Sequence, residues 1–131
     1  MIYNSCMARC AFAVVNNKDG KILLVQIAPP FKEDHKWNFP GGVIEDNEEL
    51  EIGLSREVLE ETNIVCKISD MIDKFSTNDP ENDIHIFKGT YVSGEIKPQL
   101  YEILQAKWFT VDEALHLLLA FNSKTYLETH N

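Results

Sequence analysis

The chain has 131 residues, 21 acidic and 12 basic side chains, and a formal net charge of −9. This length fits one domain spanning 1–131, and 44% hydrophobic with 25% charged residues excludes a disordered tail, a collagen-like fibre and a coiled-coil rod. No apolar run is long enough to cross a bilayer, no secretory pattern opens the chain, and the acidic balance argues against DNA binding through a basic face, so a cytoplasmic protein is expected.

Met7–Asn16 and Lys21–Ile27 are apolar runs. Asn16-Asn17-Lys18-Asp19-Gly20 joins them, and its Asp-Gly step supplies a turn, so a β-hairpin is predicted. Ala28–Lys36 is a polar, proline-containing loop, and Phe39-Pro40-Gly41-Gly42 leads into a short extended piece, Val43-Ile44. Asp46 or Asn47 is placed to cap a helix running to Thr62, with Leu50, Leu54 and Val58 as its buried stripe. Asn63 follows where the chain must turn, in the left-handed conformation that Asn tolerates. Ile64–Ser76 reads as a strand broken near Ser69-Asp70, residues 77–82 as a turn, Ile84–Ser93 as a strand, Gly94–Leu100 as a loop and Ile103–Phe109 as a strand. Thr110-Val111-Asp112-Glu113 is a capping box opening a second helix to about Ala120, and Phe121–Asn131 adds a final helical turn or two. Strands interleaved with one long helix imply an α/β (α+β) fold, a mixed sheet with helices on its faces. Cys6, Cys10 and Cys66 are an odd set without a Cys-x-x-Cys pair, which suits buried reduced thiols rather than disulfides or zinc.

The chemistry is concentrated between Gly41 and Ile64. Glu57, Glu60 and Glu61 are spaced to share one helix face near its C-terminus, where like charges repel and the macrodipole disfavours anions. Such a cluster is poor for stability but suited to hard divalent cations such as Mg²⁺. Arg56 can hold Glu48 or Glu57 through a bidentate fork, and Gly41-Gly42 lets backbone approach a metal or phosphate closely. Glu49 and Glu51 read as an ordinary solvated face. Among the loops, Arg9, Lys32, His35 and Lys36 could reach phosphate oxygens, while Phe31 and Trp37 are aromatics available to stack a base.

Gly42, five residues, Glu48, seven residues and Arg56-Glu57-Val58-Leu59-Glu60-Glu61-Thr62-Asn63-Ile64 resemble the Nudix box, with Asn63 in place of its last Gly. The stretches Trp37–Gly42, Asp19–Val25 and Glu102–Leu115 are similar to the family's box entry, first hairpin and closing strand and helix. The resemblance implies a Nudix-like α/β/α sandwich with a mixed sheet, one long catalytic helix and a C-terminal helix. It implies metal-dependent hydrolysis of a phosphoanhydride in a nucleoside diphosphate linked to another moiety. By position it assigns Glu57, Glu60, Glu61 and the Gly41 carbonyl to Mg²⁺ or Mn²⁺. Glu60, Glu61, Arg56 and Glu102 become the catalytic set, with Gly42 and Glu48 supporting it and Glu102 as the downstream candidate base. Arg9, Phe31, His35 and Trp37 are then the expected contacts to a small nucleotide-type substrate. The alternative is a nucleotide-sensing module that does not cleave, and the intact Arg56, Glu57, Glu60 and Glu61 argue against it. A homodimer is left open. Gln26-Ile27 and Lys107 stand where family members often carry Arg, and Pro80 reads as a turn residue rather than a substrate marker.

Overall fold

In a computed structural model, which describes residues 8–31, 34–78, 81–119 and 127–128, the strands are β1 (Ala8–Asn16), β2 (Ile22–Ile27), β3 (Trp37–Asn38), β4 (Gly41–Val43), β5 (Val65–Asn78), β6 (Glu81–Ser93) and β7 (Ile103–Phe109). Helix α1 (Leu50–Thr62) follows β4, and α2 (Val111–Leu115) follows β7. The sheet order is β3-β2-β1-β6-β5, with β4 pairing to β1 and β7 to β2. The parallel β1–β6 ladder among antiparallel pairs makes the sheet mixed, as predicted.

The alternation of β1 decides which face each helix covers. Ala11, Ala13 and Val15 are fully buried on one face, with Leu54 and Val58 of α1 and with Leu23, Val25, Ile44, Ile64 and Ile103. Phe12 and Val14 point the other way, toward a cluster of Ile22, Leu24, Trp37, Phe39, Ala114 and Leu127. One helix therefore covers each face, giving the expected α/β/α layering. Among the described residues, no helix is long and apolar enough to cross a membrane.

The predicted hairpin is only partly formed. β1 and β2 flank the Asp19-Gly20 turn but share the single registered pair Asn16↔Ile22. Beyond it β4 takes the edge of β1, with Phe12 opposite Gly41 and Cys10 opposite Val43, while β2 turns away to pair with β7 and β3. The strands splay because a third strand competes for the same backbone groups.

The helix α1 cap is also corrected. It begins at Leu50 with Glu49 as an extended N-cap that makes no side-chain cap bond, whereas Asp46 and Asn47 lie in the turn closed by Glu48 N–H donating to Glu45 O at 3.0 Å. The predicted C-terminus holds: Asn63 has φ 65° and ψ 16°, and its N–H donates to Leu59 O at 2.8 Å. Carbonyls orphaned at this end are taken up by the segment after β6, with Gln99 N–H on Glu61 O and Lys97 N–H on Thr62 O, both at 2.9 Å. The Asn63 side-chain amide adds a bond to Glu95 O at 3.0 Å.

Strand β5 runs unbroken through Ser69-Asp70. The expected break is absorbed as register shifts against β6, between Ile68 and Met71 and between Met71 and Asp73. The predicted turn narrows, since Asn78 still pairs with Glu81; Asp79 and Pro80 lie outside the described residues. The Thr110–Glu113 capping box is present, but α2 ends at Leu115 rather than near Ala120. The chain leaves the helix because it is drawn alongside β3, where Trp37 N–H donates to Leu118 O at 2.9 Å and Trp37 bridges Leu119. Of the expected terminal helix, Leu127 and Glu128 are described and helical, with Leu127 buried. Cys10 and Cys66 are buried, which pushes each thiol up to about 11; Cys6 lies outside the described residues.

Asn63→Val places a β-branched side chain in the left-handed region and removes the bond to Glu95. Thermal melts of this variant should show a loss of about 2 kcal/mol. Asn63→Gly, which gains backbone tolerance but loses the same bond, should melt within a few degrees of wild type.

Candidate active site

The site begins with a backbone position that only glycine can fill. Gly41 has φ 146°, and a Cβ there would lie 2.1 Å from the Ala11 carbonyl oxygen. This close approach of β4 to β1 aims the Gly41 N–H at Glu61 Oε1, 3.0 Å away. Glu61 is only 7% exposed, and among the described residues this N–H is the hydrogen-bond donor its carboxylate has.

Carboxylate oxygens of Glu57, Glu61 and Glu102 lie within 4.8 Å of one another. Two come from α1 at a spacing of four, which stacks them on one face. The third comes from the turn before β7, where the Glu102 carbonyl accepts from Ala28 N–H at 3.0 Å. Burial raises Glu61 well above the ordinary carboxylate range, reinforced by the neighbouring negative charges of Glu57, Glu102 and Glu60. Burial also raises Glu57, with Arg56 working against it.

Arg56 organises the carboxylates on the outer side. Its Nε donates to Glu48 Oε2 at 2.9 Å and its Nη2 to Glu48 Oε1 at 2.7 Å, a bidentate fork. Its Nη1 reaches both oxygens of Glu60 at 3.1 Å, and Nη2 lies 3.5 Å from Glu57 Oε1. The hydrogen bonds from Arg56 hold the Glu48 carboxyl below its usual range. Glu60 is thus turned toward Arg56 and solvent and stands apart from the trio of Glu57, Glu61 and Glu102.

Arg9 does not point to open solvent as a phosphate contact would. Its Nη2 donates to the carbonyls of Glu45 and Glu48, clamping the turn that carries Glu48. Trp37 is a correction: it is 7% exposed and meets Phe109 edge-on at 5.0 Å, so it belongs to the α2-side core and cannot stack a ligand. It is held there by the segment after α2, which pairs alongside β3 through the Trp37↔Leu119 bridge. Phe31 is 49% exposed in the 28–36 loop. His35 is exposed with φ 66°, its ring 3.7 Å from Asp34 and its carbonyl accepting from Gln26 Nε2 at 2.9 Å. Lys32 lies outside the described residues. Sequence reasoning missed the Arg9 clamp and the role of Gly53, where a Cβ would come within 2.6 Å of Ile44 Cγ2, so that α1 packs tightly on the box loop. Neither carries a local signal, because each depends on a distant partner.

The arrangement fits a hard divalent cation. Three carboxylates converge, one is almost wholly desolvated, and among the described residues no Lys or Arg pairs with Glu61 or Glu102. Such a group lowers its energy by protonation or by metal binding.

A family model described as NUDIX domain matches residues 7–129. Nudix hydrolase 7 of Arabidopsis thaliana is 34% identical over 110 residues, covering 76% of this chain and 38% of its own length. The oxidized purine nucleoside triphosphate hydrolase of Mus musculus is 30% identical over 82 residues, covering 60% of this chain and 51% of that protein. The chain therefore spans well under two thirds of these curated relatives. The crystal structure of the MutT protein from Methanosarcina mazei Go1 superposes with a TM-score of 0.81 at 26% identity, covering 94% of this chain and 91% of that one.

The raised carboxyls make a pH prediction with a definite sign. Between the ordinary carboxylate range and the raised values, the folded chain keeps protons on Glu57 and Glu61 that the unfolded chain has released, so stability falls as pH rises. Glu48 and Glu113 are lowered and act oppositely, but their contribution is complete once pH exceeds the unfolded carboxylate value of 4.5. In chelator, the melting temperature should therefore fall as pH rises above the ordinary carboxylate range. Glu61→Gln should flatten that dependence and melt above wild type at the upper end, as read by scanning calorimetry.

Proposed function

The chain belongs to the Nudix family, and from that footing we propose that it is a metal-dependent nucleotide pyrophosphohydrolase. The proposed reaction is attack of water on phosphorus in a nucleoside diphosphate linked to another moiety. The observation that carries this reading is the convergence of Glu57, Glu61 and Glu102 beside a buried helix end. The relatives' names support a phosphoanhydride of a nucleotide, and that of the Mus musculus enzyme makes nucleoside triphosphates the first substrates to try.

Glu57, Glu61 and Glu102 would hold Mg²⁺ or Mn²⁺, with the Gly41 carbonyl as a further ligand, while Glu60 would have to leave Arg56 to join them. A bound divalent cation supplies charge neutralisation on phosphate oxygens and acidifies water. The remaining work belongs to the chain. Glu102, exposed on its turn, accepts the proton of the attacking water, and the P–O bond of the anhydride breaks toward the leaving phosphate. Glu61, fixed by the Gly41 N–H, supplies a carboxylate that does not have to reorganise. Arg56 keeps Glu48, Glu57 and Glu60 from repelling one another out of place. Exposed Phe31 on the 28–36 loop is the side chain offered to a base, and the acidic surface fits a substrate that arrives with its cations.

Phosphate and pyrophosphate release should be measured against nucleoside triphosphates, ADP-ribose, dinucleotides, dinucleoside polyphosphates and capped RNA. Turnover should disappear in EDTA and return with Mg²⁺ or Mn²⁺. Glu61→Gln should lower kcat by about 10²-fold or more while leaving the chain folded. Undiminished turnover in chelator, or a fully active Glu61→Gln enzyme, would overturn the mechanism. Nucleotide binding without release of any product would favour the sensing alternative.

A further inference from the structure

We propose that Gln99 is the positioning residue that brings the Glu102 carboxylate to the Glu57–Glu61 pair, an inference resting on the functional reading above. Among the described residues Gln99 makes four hydrogen bonds, and two lead straight to members of the cluster. Its backbone N–H donates to the Glu61 carbonyl at 2.9 Å, tying it to the end of α1. Its side-chain Oε1 accepts from Tyr101 N–H at 2.9 Å and from Glu102 N–H at 3.1 Å. Its carbonyl accepts from Ile103 N–H at 3.3 Å, closing the turn onto β7. One residue thus links the backbone of Glu61 to the backbone of Glu102.

Packing anchors only the far side of the turn: Ile103 is buried in the core at the start of β7, whereas Leu100 is 71% and Tyr101 86% exposed, so the residues between Gln99 and Glu102 add no apolar contact. Electrostatics works against it, since Glu102 sits within 4.8 Å of two other carboxylate oxygens and would lower its energy by swinging outward. The Ala28 N–H bond fixes the carbonyl side of Glu102, and Gln99 Oε1 fixes its amide side. The two together set the direction of the side chain between them. Groups that orient a metal-binding carboxylate in this way typically change metal affinity by about 10- to 100-fold when removed.

The test uses the full chain, with Mn²⁺ binding followed by calorimetry and kcat and KM followed separately. Gln99→Met keeps the length of the side chain and removes the acceptor; Gln99→Glu keeps the acceptor. Gln99→Met should weaken Mn²⁺ binding by about 10-fold and lower kcat at saturating Mn²⁺, with KM for nucleotide near wild type. Gln99→Glu should restore both. In a Glu102→Gln background the Gln99→Met change should add nothing further, because its route of action is already gone. Gln99→Leu, which also carries no acceptor, replaces Gln99→Met if the latter does not fold. Wild-type Mn²⁺ affinity in Gln99→Met, or an undiminished effect in the Glu102→Gln background, overturns the inference while leaving the functional reading standing. A wild-type protein that binds no Mn²⁺ removes both.

Discussion

The carboxylate constellation depends on one cation, the guanidinium of Arg56. Helix α1 brings Glu57, Glu60 and Glu61 into its last turns, where the macrodipole already opposes negative charge, and Glu48 lies beside them. A planar group with five donors can serve three of these four at once, and Arg56 does so, forking to Glu48, reaching Glu60 and lying close to Glu57. A lysine offers a point charge without the fork and could not hold the same set. The arrangement is reinforced from a distance, since Arg9 on β1 clamps the carbonyls of the turn that presents Glu48. Two arginines in series therefore fix where the helix face points.

The compensation is deliberately incomplete. Arg56 serves the outer carboxylates, while buried Glu61 and exposed Glu102 have no basic partner among the described residues. The fold carries this imbalance because the helix end is tied down by other means: Asn63 in the left-handed conformation, and backbone bonds from Lys97 and Gln99 to its last carbonyls. The same bonds that terminate the helix also carry the turn bearing Glu102. Helix capping and assembly of the site are one piece of structure.

The parts of this design that depend on local spacing were legible in the sequence. The Leu50, Leu54 and Val58 stripe, the turn at Asn63, the Thr110–Glu113 capping box and the bounds of β7 all follow from intervals of three, four or two residues. The pairing of Arg56 was legible only as a choice between Glu48 and Glu57, and the fork goes to Glu48, which lies in the turn before the helix. What stayed hidden depends on competition between distant segments. The β1–β2 hairpin parts because β4 claims the edge of β1. The second helix stops early because the following residues pair beside Trp37, and that same pairing keeps the indole in the core. Arg9 has its partners 36 and 39 residues away, a distance at which no local pattern survives.

The register shifts on either side of Met71 in β5 bear on how this chain behaves in a crowd. β5 is the last strand in the order of the sheet, so among the described residues no strand pairs with its outer side, which is bordered by the exposed side chains of Met71 and Ile72. A straight edge of that kind is a template onto which foreign strands can add without limit. The displaced register around Met71 bends the edge in its middle, and the exposed charges of Lys67, Asp70 and Lys74 stand along it. An incoming strand can follow only a short part of the edge before its bonds fall out of step. The irregularity that hid the continuity of the strand in the sequence is thus of the kind that blunts an edge against strand addition.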